Sequence, residues 1–539
     1  MKMTITRRQL LSTGIAGSAL AIVGAGGTPA LAQAGKDTIS LAFAARSPVA
    51  FNPQFQGLLG ADNWVCAQVY DTLVKTPDGR WATKPEEFLP SLAESWQASE
   101  DQKTWTYKLR SGVKFHKGYG ELTAEDVAFT FGRHLDPKIN TATKTYYSNI
   151  ASVEASAPLT VVIKLKQPDP LLNASSVSLL ASAILCKKAF EEKGDAFNMD
   201  PVGSGPYQVE RVESASGVHL KAFADYFGGP AATQNLRIRY IADTTARTLA
   251  FASGDVDMIE GVRSPGWMDS MRQQASSTIF DATAPGSINT LNINLTKGPL
   301  ADIKVRQAIR YAIDTKAIAD AFGGIATPMV GLIASQFPGE VSADQLPEDL
   351  RYGHDPEKAM ALLAEAGHGG GLTITCFVSQ REDYASIMLM VQEQLRAVKI
   401  NLDMKIIDHA TFHADNRKDK GTLILQSTSY PPVPTLTISN ILAKAGETKP
   451  DGTGGTNFSH YGVTIPGIDD LMEKALATAD FDQRMGVVQD MEKQILKDLP
   501  ALGMITLSYV VARNPRIDLG YKVESGPAYW PMSKAKRVA

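Results

Sequence analysis

Cysteine is nearly absent: Cys66, Cys186 and Cys376 are the only three in 539 residues. Dispersed and without a Cys-x-x-Cys pair, they argue against a disulfide framework, a four-cysteine metal site and a redox enzyme, and they allow one disulfide at most. Charge of one sign is lacking too. Lys and Arg number 54 against 57 Asp and Glu, a net charge of −3 that offers no electrostatic footprint for nucleic acid. Hydrophobic residues at 44% and aromatic residues at 8% are ordinary for a globular chain, which argues against disorder, collagen-like repeats and a polytopic membrane protein. Internal repeats and low-complexity tracts are missing. At roughly 150 residues per domain, the length corresponds to two to four domains.

Catalytic signatures are just as scarce. No Gly-x-x-x-x-Gly-Lys-Ser/Thr run is present to cradle a phosphate. Gly203-Ser204-Gly205 lacks the Gly-x-Ser-x-Gly spacing of a nucleophile elbow, and Pro206 makes it a turn. His409 and His413 stand four residues apart, a metal-compatible spacing on a helix, but no Glu joins them as in His-Glu-x-x-His; a polar helix surface is the simpler reading. The pairs Glu86-Glu87, Glu191-Glu192 and Asp469-Asp470 read as solvated faces. Glu260 differs. It follows the apolar stretch Val256–Ile259 and precedes Gly261, a position from which a carboxylate reaches either a ligand or a structural hydrogen bond.

What is present begins at the N-terminus. Arg7-Arg8 precede a short, Gly- and Ala-rich apolar run that ends at Ala30-Leu31-Ala32. A basic start, a short apolar region and an A-x-A site describe a secretory signal peptide over 1–32, and the paired arginines match the twin-arginine export type. Its cations Lys2, Arg7 and Arg8 have no acidic counterpart, so the mature chain is the more acidic. No later run approaches the roughly 20 apolar residues of a membrane span.

Downstream, Asp37–Phe43 alternates like a half-buried strand, and a helix is expected over 61–73. Thr104–Leu109 and Thr160–Lys166 read as strands, and Thr123 caps a helix whose first turn holds Glu125 and Asp126. After a β-rich section from Gly203 onward, helices are expected over 244–253, 303–321, 356–366 and 384–398. Strands are expected over 372–377 and 400–407, and loops over 430–435 and 449–457. Helix–strand repetition in the second half makes it an α/β lobe.

Several strings then become specific. Leu92-Ala93-Glu94-Ser95-Trp96, Trp105–His116 and Leu122–Val127 resemble the signature region of the family 5 extracellular solute-binding proteins, the oligopeptide/dipeptide/nickel-type binding proteins of ABC importers. Val202–Tyr207, Asp225–Gly229, Ser253–Asp257, Val305–Asp314 and Asp355–Gly367 continue the series in order. Their physical content is packing: Trp96, Trp105 and Phe115 read as core, and Val305, Ile309 and Ile313 share one helix face.

The resemblance implies an α/β fold of the periplasmic-binding-protein type, a two-lobe clamp (type II, cluster C) with a subdomain inserted in lobe I. Carried over by motif order, lobe I comprises 33–77, 199–285 and the return segment 509–539. The insert is 78–198 and lobe II is 286–508, with a hinge near 285–290 and 505–510. Peptide-binding members carry an aspartate for the peptide amine in a lobe II loop. The equivalent stretch here, Leu425–Pro432, has no acid, which favours a neutral, hydroxyl-bearing or aromatic solute over a peptide, contacted by Ser427, Ser429 and Tyr430. Tyr146 and Tyr147 read as a stacking wall or as insert core; Arg46 reads as an anion contact or an exposed surface residue.

The expectation is a periplasmic, monomeric substrate-binding component that delivers a small solute to an inner-membrane ABC permease, without catalytic residues, metal or cofactor. An oligopeptide or dipeptide carrier using Glu260 for the amine is the alternative, and a secreted hydrolase is the alternative from another class.

Overall fold

The computed structural model describes residues 37–58, 60–213 and 216–538. The expected export signal, 1–32, lies outside them. Thr38–Phe43 is a strand, but not half-buried. It runs parallel to both Asn235–Tyr240 and Met258–Glu260, and this central place buries both of its faces.

The sheet around it runs in the order Leu423–Thr428, Ile279–Ile293, Ala501–Arg513, Met258–Glu260, Thr38–Phe43, Asn235–Tyr240, Gly217–Ala222, Tyr207–Glu213, with Ala326–Pro328 also paired to Ala501–Arg513. Two strands are unusually long. Ile279–Ile293 and Ala501–Arg513 lie antiparallel and carry the chain between a body built from 294–500 and a body built from the rest. Their register shifts between Thr283 and Ser287. There Gly286 has φ 68°, and a Cβ on it would lie 2.2 Å from the Leu507 carbonyl oxygen, so glycine alone fits this bulge.

In the first body, Ala93–Ala98, Thr104–Leu109, Thr160–Leu165 and Ile150–Ala157 form a separate antiparallel sheet. Trp105 and Tyr107 are buried in its core. Helix Ala124–Leu135 opens with a capping box in which the Thr123 backbone N–H donates to Asp126 (3.0 Å). The Gly203-Ser204-Gly205 turn packs backbone to backbone. Cβ atoms at Gly203 and Gly205 would sit 2.1 and 2.5 Å from the carbonyl oxygens of Val69 and Gln68.

The second body holds the parallel strands Leu372–Ser379 and Ile400–Ile407 under helix Glu382–Ala397, with helix Ile303–Ala312 packed on that helix. Val305 and Ile309 are buried on Ile303–Ala312, and Ile313, expected on the same face, is buried just past its end in extended backbone. Asp355 caps helix Pro356–Glu365 by accepting from the Lys358 N–H (2.9 Å). The largest apolar core runs from the first body into Ile438, Val488 and Met491 of the second, so the two bodies touch.

Three expected boundaries differ. The helix expected over 303–321 is two, Ile303–Ala312 and Thr315–Asp320, because Asp314 turns its carboxylate onto the Ala317 N–H and caps a new helix. The helix expected to end at 73 stops at Val69; Asp71, Thr72 and Leu73 instead give their carbonyls to Ile184, Leu92 and Ala93. Helix Pro434–Leu442 starts inside the loop expected to reach 435, with Pro434 at its first position. All three cysteines are buried and unpaired. Among the described residues no helix is long and apolar enough to cross a membrane.

Candidate functional site

A cavity of about 580 Å³ lies between the two bodies. Its walls are the loops that follow strands: Phe43-Ala44 after Thr38–Phe43, Glu260 to Arg263 from Met258–Glu260, Arg381 to Asp383 after Leu372–Ser379, and Ser429-Tyr430 after Leu423–Thr428. Ligand crevices of α/β sheets form at such carboxyl ends, where chain directions diverge and backbone groups leave the ladder. The long strand Ala501–Arg513 supplies Tyr509, and the C-terminal segment supplies Tyr529.

The first body gives this cavity an aromatic wall. Phe43 and Trp64 stack with ring centres 4.8 Å apart, and Trp81 lies beside them. Glu260 accepts the Ala44 N–H (2.8 Å) on its carboxylate and the Arg247 Nε–H (3.0 Å) on its carbonyl. The structural bond anticipated for it is present, and it also lies on the cavity wall. Burial lowers the Arg247 guanidinium below its ordinary range, partly offset by the Glu260 and Asp243 charges.

Across the cavity, Asp383 is shared by two guanidiniums. Arg263 Nη2 donates to it at 3.2 Å, and Arg381 donates from Nε and Nη2 at 3.1 and 2.8 Å. Arg263 also packs on the Tyr509 ring and donates to Ser287 Oγ (2.8 Å). Burial alone would lower Arg381, but its bond to Asp383 and that carboxylate's charge outweigh this and raise it. The Arg381 side chain remains 48% exposed. Two cations on one carboxylate leave donors facing the cavity for a second anion, and a guanidinium fork suits a planar carboxylate.

Of the expected site residues, the fold brings Glu260, Ser429 and Tyr430 to the cavity. Tyr430 is 5% exposed and belongs to the core, so it is a wall and not a free arm. Tyr146 lies on an adjoining cavity at the rim, with Val433 and Leu436. Tyr147 does not reach the ligand cavity: its ring stacks on His134 (3.7 Å) and its hydroxyl bonds Ser182 (2.7 Å), the insert-core reading. Ser427 stays in its strand, paired with Asn289, and its carbonyl accepts from the Tyr384 hydroxyl (3.3 Å). Arg46 is exposed and off the cavity wall.

The residues that sequence reasoning missed are Arg263, Arg381 and Asp383. Their one signal is position just past an apolar strand, the criterion that singled out Glu260. His409 and His413 share a helix face and pack on Tyr384; burial, then the neighbouring His409 charge, pushes His413 down to about 4. Among the described residues no group of three or more His, Cys, Asp or Glu is placed to hold a metal ion.

Residues 87–449 match the profile of the bacterial extracellular solute-binding proteins, family 5. The chain is 28% identical over 488 residues to the dipeptide-binding protein of Escherichia coli K12, covering 85% of this chain and 87% of that one. It is 31% identical over 323 residues to the glutathione-binding protein of the same strain, 59% of this chain and 60% of that one. The structure of MoaA from A. tumefaciens R10 in complex with mannopinic acid superposes with a TM-score of 0.77 at 30% identity, covering 94% of this chain and all of that one. The chain therefore belongs to the family 5 bacterial extracellular solute-binding proteins, two-lobe clamps that capture solutes for ABC permeases and are not enzymes.

Proposed function

We propose that the solute is a small molecule carrying at least one carboxylate and several hydroxyl or amine groups, not a standard peptide. The observation that carries this reading is the Arg263–Asp383–Arg381 cluster, which offers cationic donors to the cavity opposite an aromatic wall. In the proposed site, Arg381 and Arg263 take the carboxylate, Phe43, Trp64 and Tyr430 pack against the solute, and Ser429 and Glu260 bond its polar groups. The relatives' named ligands, a dipeptide, glutathione and mannopinic acid, share a carboxylate, which supports the anionic anchor. The absence of an acid in Leu425–Pro432 supports an opine-like sugar–amino-acid conjugate over a peptide.

The clamp of this reading has lobe I at 33–77, 199–285 and 509–539, the insert at 78–198, and lobe II at 286–508. It hinges where Gly286 meets Leu507. Solute closes it only through contacts better made in the closed state. The chain is exported by its twin-arginine signal, acts as a monomer and hands its solute to a permease of the inner membrane.

A thermal-shift and calorimetric screen of mannopinic acid, dipeptides, glutathione, oligosaccharides and metal chelates tests this, since bound ligand raises apparent stability by mass action. Micromolar or tighter binding of mannopinic acid or a similar conjugate, lost in Arg381→Ala, is the expected result. Selection of dipeptides or of uncharged oligosaccharides overturns it.

A further inference from the structure

Two long strands carry the chain between its bodies, and Leu423–Thr428 and Ala326–Pro328 of 294–500 join their sheet, so it is the bonds between 294–500 and the remainder away from this sheet that span the cleft. Among the described residues, the side-chain hydrogen bonds that do so start from two arginines, since Asn292, which bonds Ile424 and Gln426, lies within the sheet itself. Arg263 reaches Asp383 inside the solute cavity. Arg484 reaches the opposite way, outside it, from helix Phe481–Asp498 to the insert, donating to the Pro168 carbonyl at 2.8 Å and to the Asp169 carboxylate at 3.4 Å.

The two contacts are built differently. Arg381, beside the inner one, is half exposed, whereas the Arg484 side chain is 2% exposed. Its own body aims it: Nε donates to the Thr478 carbonyl (2.9 Å) and Nη2 to that of Leu476 (3.2 Å). Asp169 is aimed in turn by the Leu171 N–H and the Ser175 hydroxyl, both at 2.9 Å. Each partner is thus preset within its own body, and only the bonds between them depend on closure. The contact keeps an open flank, for a cavity of about 420 Å³ lined by Tyr146, Leu436 and Met472 lies against it. None of Arg484, Pro168 and Asp169 touches the solute cavity.

We infer that Arg484 is a positioning residue for solute capture: it clasps the insert across the rim and sets, without solute, the fraction of molecules that stand closed. Opening returns both ions to water, which repays much of the lost pairing, so the clasp biases the equilibrium and does not lock it. Apparent affinity for any solute scales with the closed-competent fraction, so a residue remote from the solute governs capture. The inference rests on the two-lobe clamp and not on which solute it binds.

The test uses the full mature chain with spin labels at Leu249→Cys and Leu389→Cys, exposed positions on opposite bodies, while the three native cysteines are buried. Pulsed dipolar spectroscopy without added solute reads the distance distribution in this background, in Arg484→Lys and in Asp169→Asn. The parent should show a short-distance, closed population. In both variants the open-to-closed ratio should rise on the order of tenfold, within the usual range of coupling between sites. Asp169→Asn keeps an acceptor oxygen for the Leu171 N–H and turns its amide NH2 to the Ser175 hydroxyl, which can accept as well as donate, so it serves as the variant that folds if Arg484→Lys does not. An unchanged distribution in a folded variant, or a parent with no closed population, overturns the inference.

Discussion

On the first body's side of the cleft, Trp64 stacks on Phe43 and meets Trp530 edge-on at 5.3 Å, all three buried. On the other side Arg381 and Ser429 stand exposed on loops, and Glu382 stands exposed at the start of its helix. The aromatic wall is part of a core, and its shape is set by packing before any solute arrives. The polar wall is set by one carboxylate, Asp383, holding two guanidiniums, a cheaper and more adjustable arrangement. Stability and selectivity therefore separate across the cleft.

Substitutions can break that separation. Trp64→Ala should cost about 3–5 kcal/mol of folding stability, the usual range for emptying a buried aromatic site, in a denaturant titration. Trp105→Ala, in the insert core and away from the cavity, should cost as much while leaving the affinity of the surviving folded protein unchanged; a selective loss of affinity there would sink the contrast. Arg381→Ala should do the reverse. Affinity should fall on the order of a hundredfold by calorimetry, the upper scale of a hydrogen bond to a charged group, with little change in the unfolding midpoint.

A titration sharpens the second body's side. Burial pushes the Glu492 carboxyl up to about 7, although it accepts the Leu332 and Ile333 N–H groups at 2.8 and 3.2 Å. The folded chain keeps this proton where the unfolded chain has released it, so the contribution is complete below the ordinary carboxylate range and is lost as pH rises through 7. Thermal midpoints should fall by a few degrees between pH 5 and 8 on this account, and Glu492→Gln should remove that slope. A slope unchanged in Glu492→Gln would assign it to other groups. The smallest effect is expected from Tyr430→Phe. Removing one hydroxyl while keeping the buried ring should weaken solute binding roughly fivefold, the scale of one hydrogen bond, and leave stability near that of the parent.

How much could be read beforehand follows from the range of each signal. Thr123 with Asp126 and Asp355 with Lys358 N–H are bonds over three residues, and both caps were legible as sequence. Ile313 is buried past the helix end, where its backbone is already extended, but the burial of Val305 and Ile309 on one helix face was legible too, since period alone places them. The break at Asp314 was not, because a capping aspartate competes with helix continuation and the outcome depends on Gln394, whose side chain accepts the Asp314 N–H (3.0 Å) from 80 residues away. Tyr147 and Tyr146 are adjacent in sequence yet divided between core and rim, a division that only the stacking of His134 makes visible.

Local chemistry thus determined the elements, the scarcity of reactive groups and the family strings that mark a clamp. Tertiary structure alone decided where the clamp is charged. Asp383 meets Arg263 across 120 residues and Asp169 meets Arg484 across 315. No period or spacing encodes such pairs, for they exist only when two long strands bring separate bodies face to face and burial makes an unpaired charge too costly to leave alone.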